Sequence, residues 1–383
     1  MPGLITHEWI EPRGGSENVL EAIAALFPDA EIMTPWNNAP HRFPDRVVHE
    51  LWLSKSKLRG RKAASVPALA QAWRHAIPKD GPGYDWIIAS SHLFSHHVRP
   101  RGTSKSAPKL IYAYTPARYI WTPEMDARGR GVSARAASTF LRPLDRRRAR
   151  EATAVAGISE YVRDRIQESW GVEASVVYPP VETTAIQSVE DWRTKLHDEE
   201  AVILDSLPDQ FILGASRFIP YKRLDLVIAA GEKIGLPVVL AGGGPERDRL
   251  RSLAQSARVP VRIIDDPTTP LLYALYQAAT VFVFPPIEDF GIMPIEAMAL
   301  GTPAVGSRIG GSGETILDGV SGAHFDEHTP SSVAAAVVRA LDVHAQDARN
   351  HATKFSREAF DLSFSEWANT SLGQQVARQA AVR

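Results

Sequence analysis

A chain of 383 residues with 44% hydrophobic and 23% charged residues suits two domains of about 150–200 residues each rather than one core. The lack of any cysteine excludes a thiol nucleophile, a Cys-ligated zinc site and a disulfide framework, and no run approaches the roughly 18 apolar residues of a membrane span. The formal net charge of -1 conceals a division: residues 1–190 carry +5 (25 Lys/Arg against 20 Asp/Glu), and residues 191–383 carry -6 (18 against 24), so the first half is the one expected to meet something anionic.

The first half opens with a short apolar strand at 4–7. Gly14-Gly15-Ser16-Glu17 follows, then an apolar helical pattern at Val19, Leu20, Ile23, Ala24 and Leu26. Ser16 is expected to cap that helix, and the glycines to let backbone approach whatever lies above the strand end. Lys55, Lys57, Arg59, Arg61 and Lys62 cluster beside Trp52 and Leu53, a pattern that suits peripheral contact with an anionic membrane. Strands at 86–89, 109–113, 154–158 and 176–177 alternate with helices at 66–76, 134–151 and 160–169, the mark of a parallel sheet covered on both faces. The second basic run, Arg142, Arg146, Arg147, Arg148 and Arg150, reads as a solvated helix face.

Pro179-Pro180 closes this half, and the charged stretch 183–209 reads as a linker. Beyond it, strands at 211–216, 238–241, 261–264, 281–284 and 304–306 alternate with helices at 223–233, 246–256, 271–278 and 294–300. This pattern predicts a second, doubly wound sheet. Helices at 329–341 and 363–381 complete the chain.

Four loops after these later strands carry polar or glycine-rich chemistry. Glu288 lies just past the strand 281–284, where open α/β sheets bind ligands. Gly291 permits a tight turn, Pro294 suits a first helical turn, and the amides of Ile292 and Met293 suit a diphosphate. Glu296 lies one turn inside, suited to ribose hydroxyls, although acidic residues near helix starts are also common for dipole reasons alone. After the strand 211–216 come Arg217 and Lys222, spaced to meet a phosphate pair and neutralise a leaving group. Gly242-Gly243-Gly244 and Gly310-Gly311-Ser312-Gly313-Glu314 make two further turns, so that one sheet edge is expected to form a broad polar cleft.

These segments resemble family 4 of the retaining glycosyltransferases. The Glu288-x7-Glu296 spacing, the loop Phe290-Gly291-Ile292-Met293-Pro294, the pair Arg217 and Lys222, and the loop from Gly310 to Glu314 each match a family motif. Gly14 and Gly15 resemble its glycine-rich opening loop, and Ser90-Ser91-His92 the position of its active-site histidine. Tyr112-Ala113-Tyr114-Thr115-Pro116-Ala117-Arg118-Tyr119 resembles a further element, with Tyr114 in place of the family's histidine.

The resemblance implies the GT-B fold, an α/β architecture of two Rossmann-like doubly wound domains facing across a cleft. Residues 1–185 would be the acceptor-side domain, 186–362 the nucleotide-sugar domain, and 363–383 a helical crossover returning to the first. It further implies transfer of a mannose- or glucose-type hexose, with an alpha linkage retained, from a GDP- or UDP-sugar to a glycan, glycolipid or polyprenyl-diphosphate-linked acceptor. His92, Arg217, Lys222 and Glu288 would be catalytic; Gly14, Gly15, Arg217, Lys222, Gly291, Ile292, Met293 and Glu296 would hold the donor. No cofactor, no metal and no nucleic acid is expected. The location expected is cytoplasmic, at the inner face of the cell membrane. A nucleotide-sugar 2-epimerase and a non-catalytic sugar-nucleotide-binding protein are the alternatives. Base recognition is expected near the turn at 265–270.

Overall fold

The computed structural model describes residues 2–122 and 132–381, and the side chains of all of these except 119, 132–137 and 374–381. They fall into two compact units, residues 1–180 with 360–383, and residues 181–359.

In the first unit seven parallel strands are described: β1 (Gly3–His7), β2 (Glu31–Thr34), β3 (Val48–Glu50), β4 (Trp86–Ser91), β5 (Lys109–Ala113), β6 (Ala154–Gly157) and β7 (Ser175–Val176), ordered β3-β2-β1-β4-β5-β6-β7. Every residue of β1, β4 and β5 is buried, as expected of central strands covered on both faces. The helices are α1 (Gly15–Leu26), α2 (Lys62–Arg74), α3 (Arg118–Trp121), α4 (Val132–Ala149) and α5 (Glu160–Trp170). From Phe360 onward the last helix of the chain also belongs to this unit, its Phe364 ring packing 5.3 Å from that of Tyr112.

The second unit carries helices α6 (Thr183–Gln187) and α7 (Asp198–Asp205) ahead of its sheet. The six strands described are β8 (Ile212–Ala215), β9 (Val238–Gly242), β10 (Val261–Asp265), β11 (Val281–Phe284), β12 (Ala304–Ser307) and β13 (Gly322–Phe325), ordered β10-β9-β8-β11-β12-β13. Between and after them run α8 (Asp225–Ile234), α9 (Arg247–Ser256), α10 (Thr269–Ala278), α11 (Ile292–Ala299), α12 (Ser312–Thr315), α13 (Pro330–Ala340) and α14 (Ala345–Ala352); α15 (Arg357–Ala381) is the last helix. Apolar residues of α8 and α13, among them Val227, Val333 and Val337, pack on Leu240, Val283 and Val305 of the sheet.

Both sheets thus run outward from their first strand, return, and continue on the other side. The reversal separates the loops after β1 and β4, and those after β8 and β11, and opens a crevice at the C-terminal ends of those strands. Among the described residues no helix is long and apolar enough to cross a membrane.

Several elements differ from the sequence expectation. The stretch 183–209 is no linker but holds α6, a 3-10 turn at Trp192–Lys195 and α7, the acids Asp198, Glu199 and Glu200 favouring the first turn of α7. Ser16 does not cap α1. It lies inside the helix, which starts from Gly14 without a side-chain cap, and its hydroxyl donates to Glu17 at 2.8 Å. Strands β2, β3 and β13 are additional to those predicted.

Candidate active site

In the second unit the crevice lies between the loops after β8 and β11. After β8 the chain passes Arg217, which is exposed, and forms a 3-10 turn at Pro220–Lys222, with Arg223 left-handed at φ 49°. Proline's fixed φ suits the start of that turn. The turn sends Lys222 back into the crevice, where its ammonium donates to Oε1 of Glu288 at 2.6 Å and lies 5.3 Å from the Phe284 ring centroid. The two side chains keep only 9% and 19% of their surface. A cation held this way is preorganised beside a carboxylate yet still reachable by a ligand. Arg223 pairs with Asp225 at 3.2 Å instead.

Gly291 then takes φ 97°, a conformation only glycine adopts cheaply, and α11 begins at once with no side-chain cap. The N–H groups of Ile292 and Met293 are therefore left to solvent or to an anion, and Pro294 has no N–H to offer. The glycine-rich turns after β9 and β12 brace these loops. A Cβ on Gly311 would fall 2.2 Å from the Phe290 backbone, and one on Gly242 would fall 1.9 Å from the Ser216 carbonyl oxygen. Gly311 N–H also donates to the Glu288 carbonyl at 2.8 Å, and Phe218 N–H to the Gly243 carbonyl at 2.7 Å. Their part is to let one loop lie on another.

Glu296, on α11, is partly buried against Tyr273, whose hydroxyl lies 3.5 Å from Oε1. Burial pushes the Glu296 carboxyl up to about 7, against the smaller downward pull of the Tyr273 contact. The turn at 265–270 is strongly tied: Arg247 and Arg251 pair with Asp265, Arg247 also with Asp266, and the Thr268 hydroxyl caps α10.

In the first unit the corresponding crevice lies between the loops after β1 and β4. Glu8, directly after β1, is fully buried. Its Oε1 accepts the amide N–H groups of Leu93, Phe94 and Ser95 at 3.0, 2.7 and 2.7 Å, and Oε2 that of His92 at 3.2 Å. Burial alone would raise this carboxyl, but His92, His7 and the amide bonds outweigh it and hold it below the ordinary range. The His92 ring keeps 24% of its side-chain surface, with Nδ1 3.5 Å from Oε2 of Glu8. It stands edge-on to Trp9, their centroids 5.1 Å apart.

Behind His92 runs a chain of hydrogen bonds. The Tyr114 hydroxyl donates to the Ser16 carbonyl at 3.1 Å and lies 2.9 Å from the Ser90 hydroxyl, which lies 3.0 Å from Nδ1 of His7. With the Tyr114 proton committed to Ser16, Ser90 donates to Tyr114 and His7 donates from Nδ1. His7 is buried and neutral, pushed down to about 4 by burial and by neighbouring His92. Gly14 and Gly15 start α1 in the same region, so Tyr114 ties the opening glycine loop to β4. Glu8 and His7 escaped the motif reading; the one trace of Glu8 in sequence is an acid directly after the first apolar strand. The Tyr119 side chain lies outside the described residues.

One cluster resembles a metal site but serves the core. Asp145 is fully buried; Oδ1 accepts from Nε2 of His96 and His97 at 3.0 and 2.8 Å, and Oδ2 from the indoles of Trp121 and Trp170, both at 2.7 Å. Arg148 donates to Nδ1 of His97 at 2.8 Å, which fixes the proton on Nε2, facing Asp145. Burial and neighbouring His96 hold His97 down to about 3. With four donors on one carboxylate, no lone pair is left for a cation.

The model of the glycosyl transferases group 1 family matches residues 198–359. The D-inositol 3-phosphate glycosyltransferase of Acidothermus cellulolyticus is 34% identical over 148 residues, which are 34% of this chain and 33% of that protein. The GDP-mannose-dependent alpha-(1-6)-phosphatidylinositol monomannoside mannosyltransferase of Mycolicibacterium smegmatis is 28% identical over 259 residues, 61% of this chain and 66% of that protein. The chain therefore spans from a third to just under two thirds of these relatives. Among solved structures, HepE of Anabaena in complex with UDP-glucose superposes with a TM-score of 0.68 at 18% identity, covering 97% of this chain and 100% of that one. The sucrose-phosphate synthase of Thermosynechococcus elongatus gives 0.69 at 18% identity, covering 97% and 99%. The chain has the two-domain GT-B architecture, and its residues 198–359 match the glycosyl transferases group 1 family.

Proposed function

We propose that this protein is a retaining glycosyltransferase that moves a mannose- or glucose-type hexose from a nucleoside diphosphate sugar to a glycan, glycolipid or polyprenyl-diphosphate-linked acceptor. The observation that carries the reading is the Lys222–Glu288 pair beside the uncapped start of α11. A diphosphate at that helix start would meet the amides of Ile292 and Met293 and the charges of Lys222 and Arg217. Glu288 would hold sugar hydroxyls and Glu296 the ribose. The relative from Mycolicibacterium is named for GDP-mannose and the Anabaena structure holds UDP-glucose, which supports a GDP- or UDP-sugar as donor.

The sequence offers no second carboxylate suited to a covalent intermediate, so front-side displacement is the preferred mechanism. The diphosphate departs as the acceptor hydroxyl attacks the same face of the sugar. Negative charge grows on the leaving oxygen, and Lys222, Arg217 and the two amides stabilise it without a metal. Each such donor supplies about 3–4 kcal/mol, or roughly 100- to 1000-fold in rate. His92, held by Glu8, would orient the reacting sugar or acceptor, with Gly14 and Gly15 admitting it close to backbone.

A lipid-linked acceptor would bring the protein to the inner face of the cytoplasmic membrane. Trp52, 59% exposed, with exposed Lys55, Lys57 and Arg61, supports that contact. Arg59 and Lys62 contribute less, being paired with Glu50 and Glu11. The deciding experiment offers the protein a panel of GDP- and UDP-sugars, first alone and then with lipid-linked or soluble acceptors. Slow donor hydrolysis, and transfer when the right acceptor is present, is expected. Conversion of a UDP-sugar to its 2-epimer without acceptor would overturn the proposal.

A further inference from the structure

We propose that a pocket on the flank of the first unit, between α4 and Trp121, binds a ligand bearing a multiply charged phosphate group. The pocket has a volume of about 580 Å³ and is lined by Trp121, Pro143 and four arginines, Arg142, Arg146, Arg147 and Arg150. Residues 142, 146 and 150 follow each other at one-turn intervals, so their side chains form a single ridge along the helix.

Three of the four guanidiniums are anchored from behind. Nε of Arg142 donates to the Ile120 carbonyl at 2.8 Å, Nε of Arg146 to that of Ser169 at 2.7 Å, and Nε of Arg150 to that of Trp170 at 3.1 Å. Fixing Nε orients the fork and leaves terminal N–H groups for a ligand. Arg142 and Arg146 also lie 5.5 and 5.4 Å from the Trp121 ring centroid. That ring is held in turn by its indole bond to buried Asp145.

Charge decides the class of ligand. Among the described residues, no carboxylate lies within ion-pair distance of any of these four arginines. Neighbouring cations are neutralised: Arg74 pairs with Glu151 and Arg163 with Asp164. Arg148, read in sequence as part of a solvated face, turns inward instead, donating to the Ala70 carbonyl and to His97. Four like charges around one concavity repel each other until an anion enters. Guanidinium forks match phosphate oxygens in geometry as well as charge. Phe140, 81% exposed and one turn from Pro143, puts an apolar group beside the pocket.

The pocket is separate from the crevice of Glu8 and His92. That crevice lies at the C-terminal ends of the strands, whereas Arg150 reaches the C-terminal end of α5, next to where β6 begins.

The test uses the full chain carrying Lys222→Ala, which on the proposed function weakens diphosphate binding at the donor site. Inorganic pyrophosphate is titrated by calorimetry, and vesicles of equal phosphatidylglycerol and phosphatidylcholine are compared with pure phosphatidylcholine by flotation. Binding of at least one anionic probe is expected, weakening as salt rises. Pyrophosphate binding identifies a soluble phosphorylated ligand; binding to the anionic vesicles alone identifies a lipid headgroup. Arg147→Gln removes a charge that makes no bond to the protein among the described residues, and should weaken the bound probe about tenfold. Lys233→Gln, the same charge change on α8 of the second unit, should leave it unchanged. Absence of binding to both probes, or binding undiminished from the Lys222→Ala parent in both Arg147→Gln and a correctly folded Arg142→Gln/Arg147→Gln variant, would overturn the proposal.

Discussion

Each unit has a carboxylate at the reversal point of its sheet, and the two are used in opposite ways. Glu8 follows the first strand of one sheet and is consumed by backbone: four successive amides of residues 92–95 converge on it, and none of its surface reaches solvent. Glu288 follows the fourth strand of the other sheet. It faces one lysine, remains partly accessible, and stands beside a helix start with amides to spare. The two sides of one kind of reversal point thus yield a structural anion in one unit and an accessible ion pair in the other. What separates them is whether the donors come from the fold itself or are left for a ligand.

The largest expected effect tests the structural half of that contrast. Glu8→Ala leaves four buried N–H groups without an acceptor, and each costs about 1–3 kcal/mol, so a loss of roughly 4 kcal/mol or more is expected in denaturant unfolding. Glu8→Gln keeps an acceptor oxygen for part of the set and should lose about half as much. If Glu8→Ala unfolds at the wild-type denaturant concentration but loses only activity, Glu8 belongs with the reactive groups and the contrast collapses.

Lys222→Ala should do the reverse. On the proposed function it removes a charge that would meet the developing diphosphate, and transfer should fall about 100- to 1000-fold, roughly 3–4 kcal/mol in the barrier. Lys222→Arg keeps the charge but not the point geometry and should recover only part of the rate. Full activity of Lys222→Ala in a folded protein would remove the pair from the chemistry.

Sequence exposed these two carboxylates unequally, for a physical reason. Glu288, Gly291 and Glu296 lie within nine residues, so the loop, its turn and the helix start could be read as one local pattern. Arg217 and Lys222 were legible likewise, because a strand end and a proline turn set their positions. Glu8 depends on amides 84 to 87 residues away, and no local pattern records that. The same holds for secondary structure. The buried strands β8, β9 and β11 announce themselves as apolar runs, whereas β2 begins at Glu31 and β3 at the sheet edge holds only Val48, His49 and Glu50. The charges of α7 disguised a helix as a linker. Asp145 was hidden inside a basic run, where its four donors from three separate segments gave no sign.

Glu296 gives a smaller effect with a defined sign. Its folded pKa of about 7 stands above the ordinary carboxyl value of 4.5, so the folded state holds an extra proton between those values. The stability this contributes is complete below about pH 4.5 and is lost as pH rises through 7. Glu296→Gln should therefore match wild type near pH 4.5 and exceed it at pH 8 by about 1–3 kcal/mol. Nucleotide affinity should show the opposite trend in wild type, strengthening as Glu296 ionises and accepts ribose hydroxyls. A thermal-unfolding difference that does not change between pH 5 and 8 would refute the burial of this carboxyl.

The smallest expected effect is Tyr114→Phe, which returns to the first unit. The Tyr114 hydroxyl links Ser16 on α1 to Ser90 and through it to His7, so its loss removes one bond to a carbonyl and leaves Ser90 without an acceptor in Tyr114. About 1 kcal/mol of stability should go. Its second consequence separates a structural chain from a functional one. If the chain only packs the interior, KM for the acceptor and kcat stay put while stability falls. If it holds the opening glycine loop in its working position, KM for the acceptor rises with kcat nearly constant, because the loop carrying Gly14 and Gly15 is tethered through Ser16. Loss of kcat with no change in KM would instead put Tyr114 itself among the reacting groups. The first unit would then carry chemistry at its reversal point as the second does.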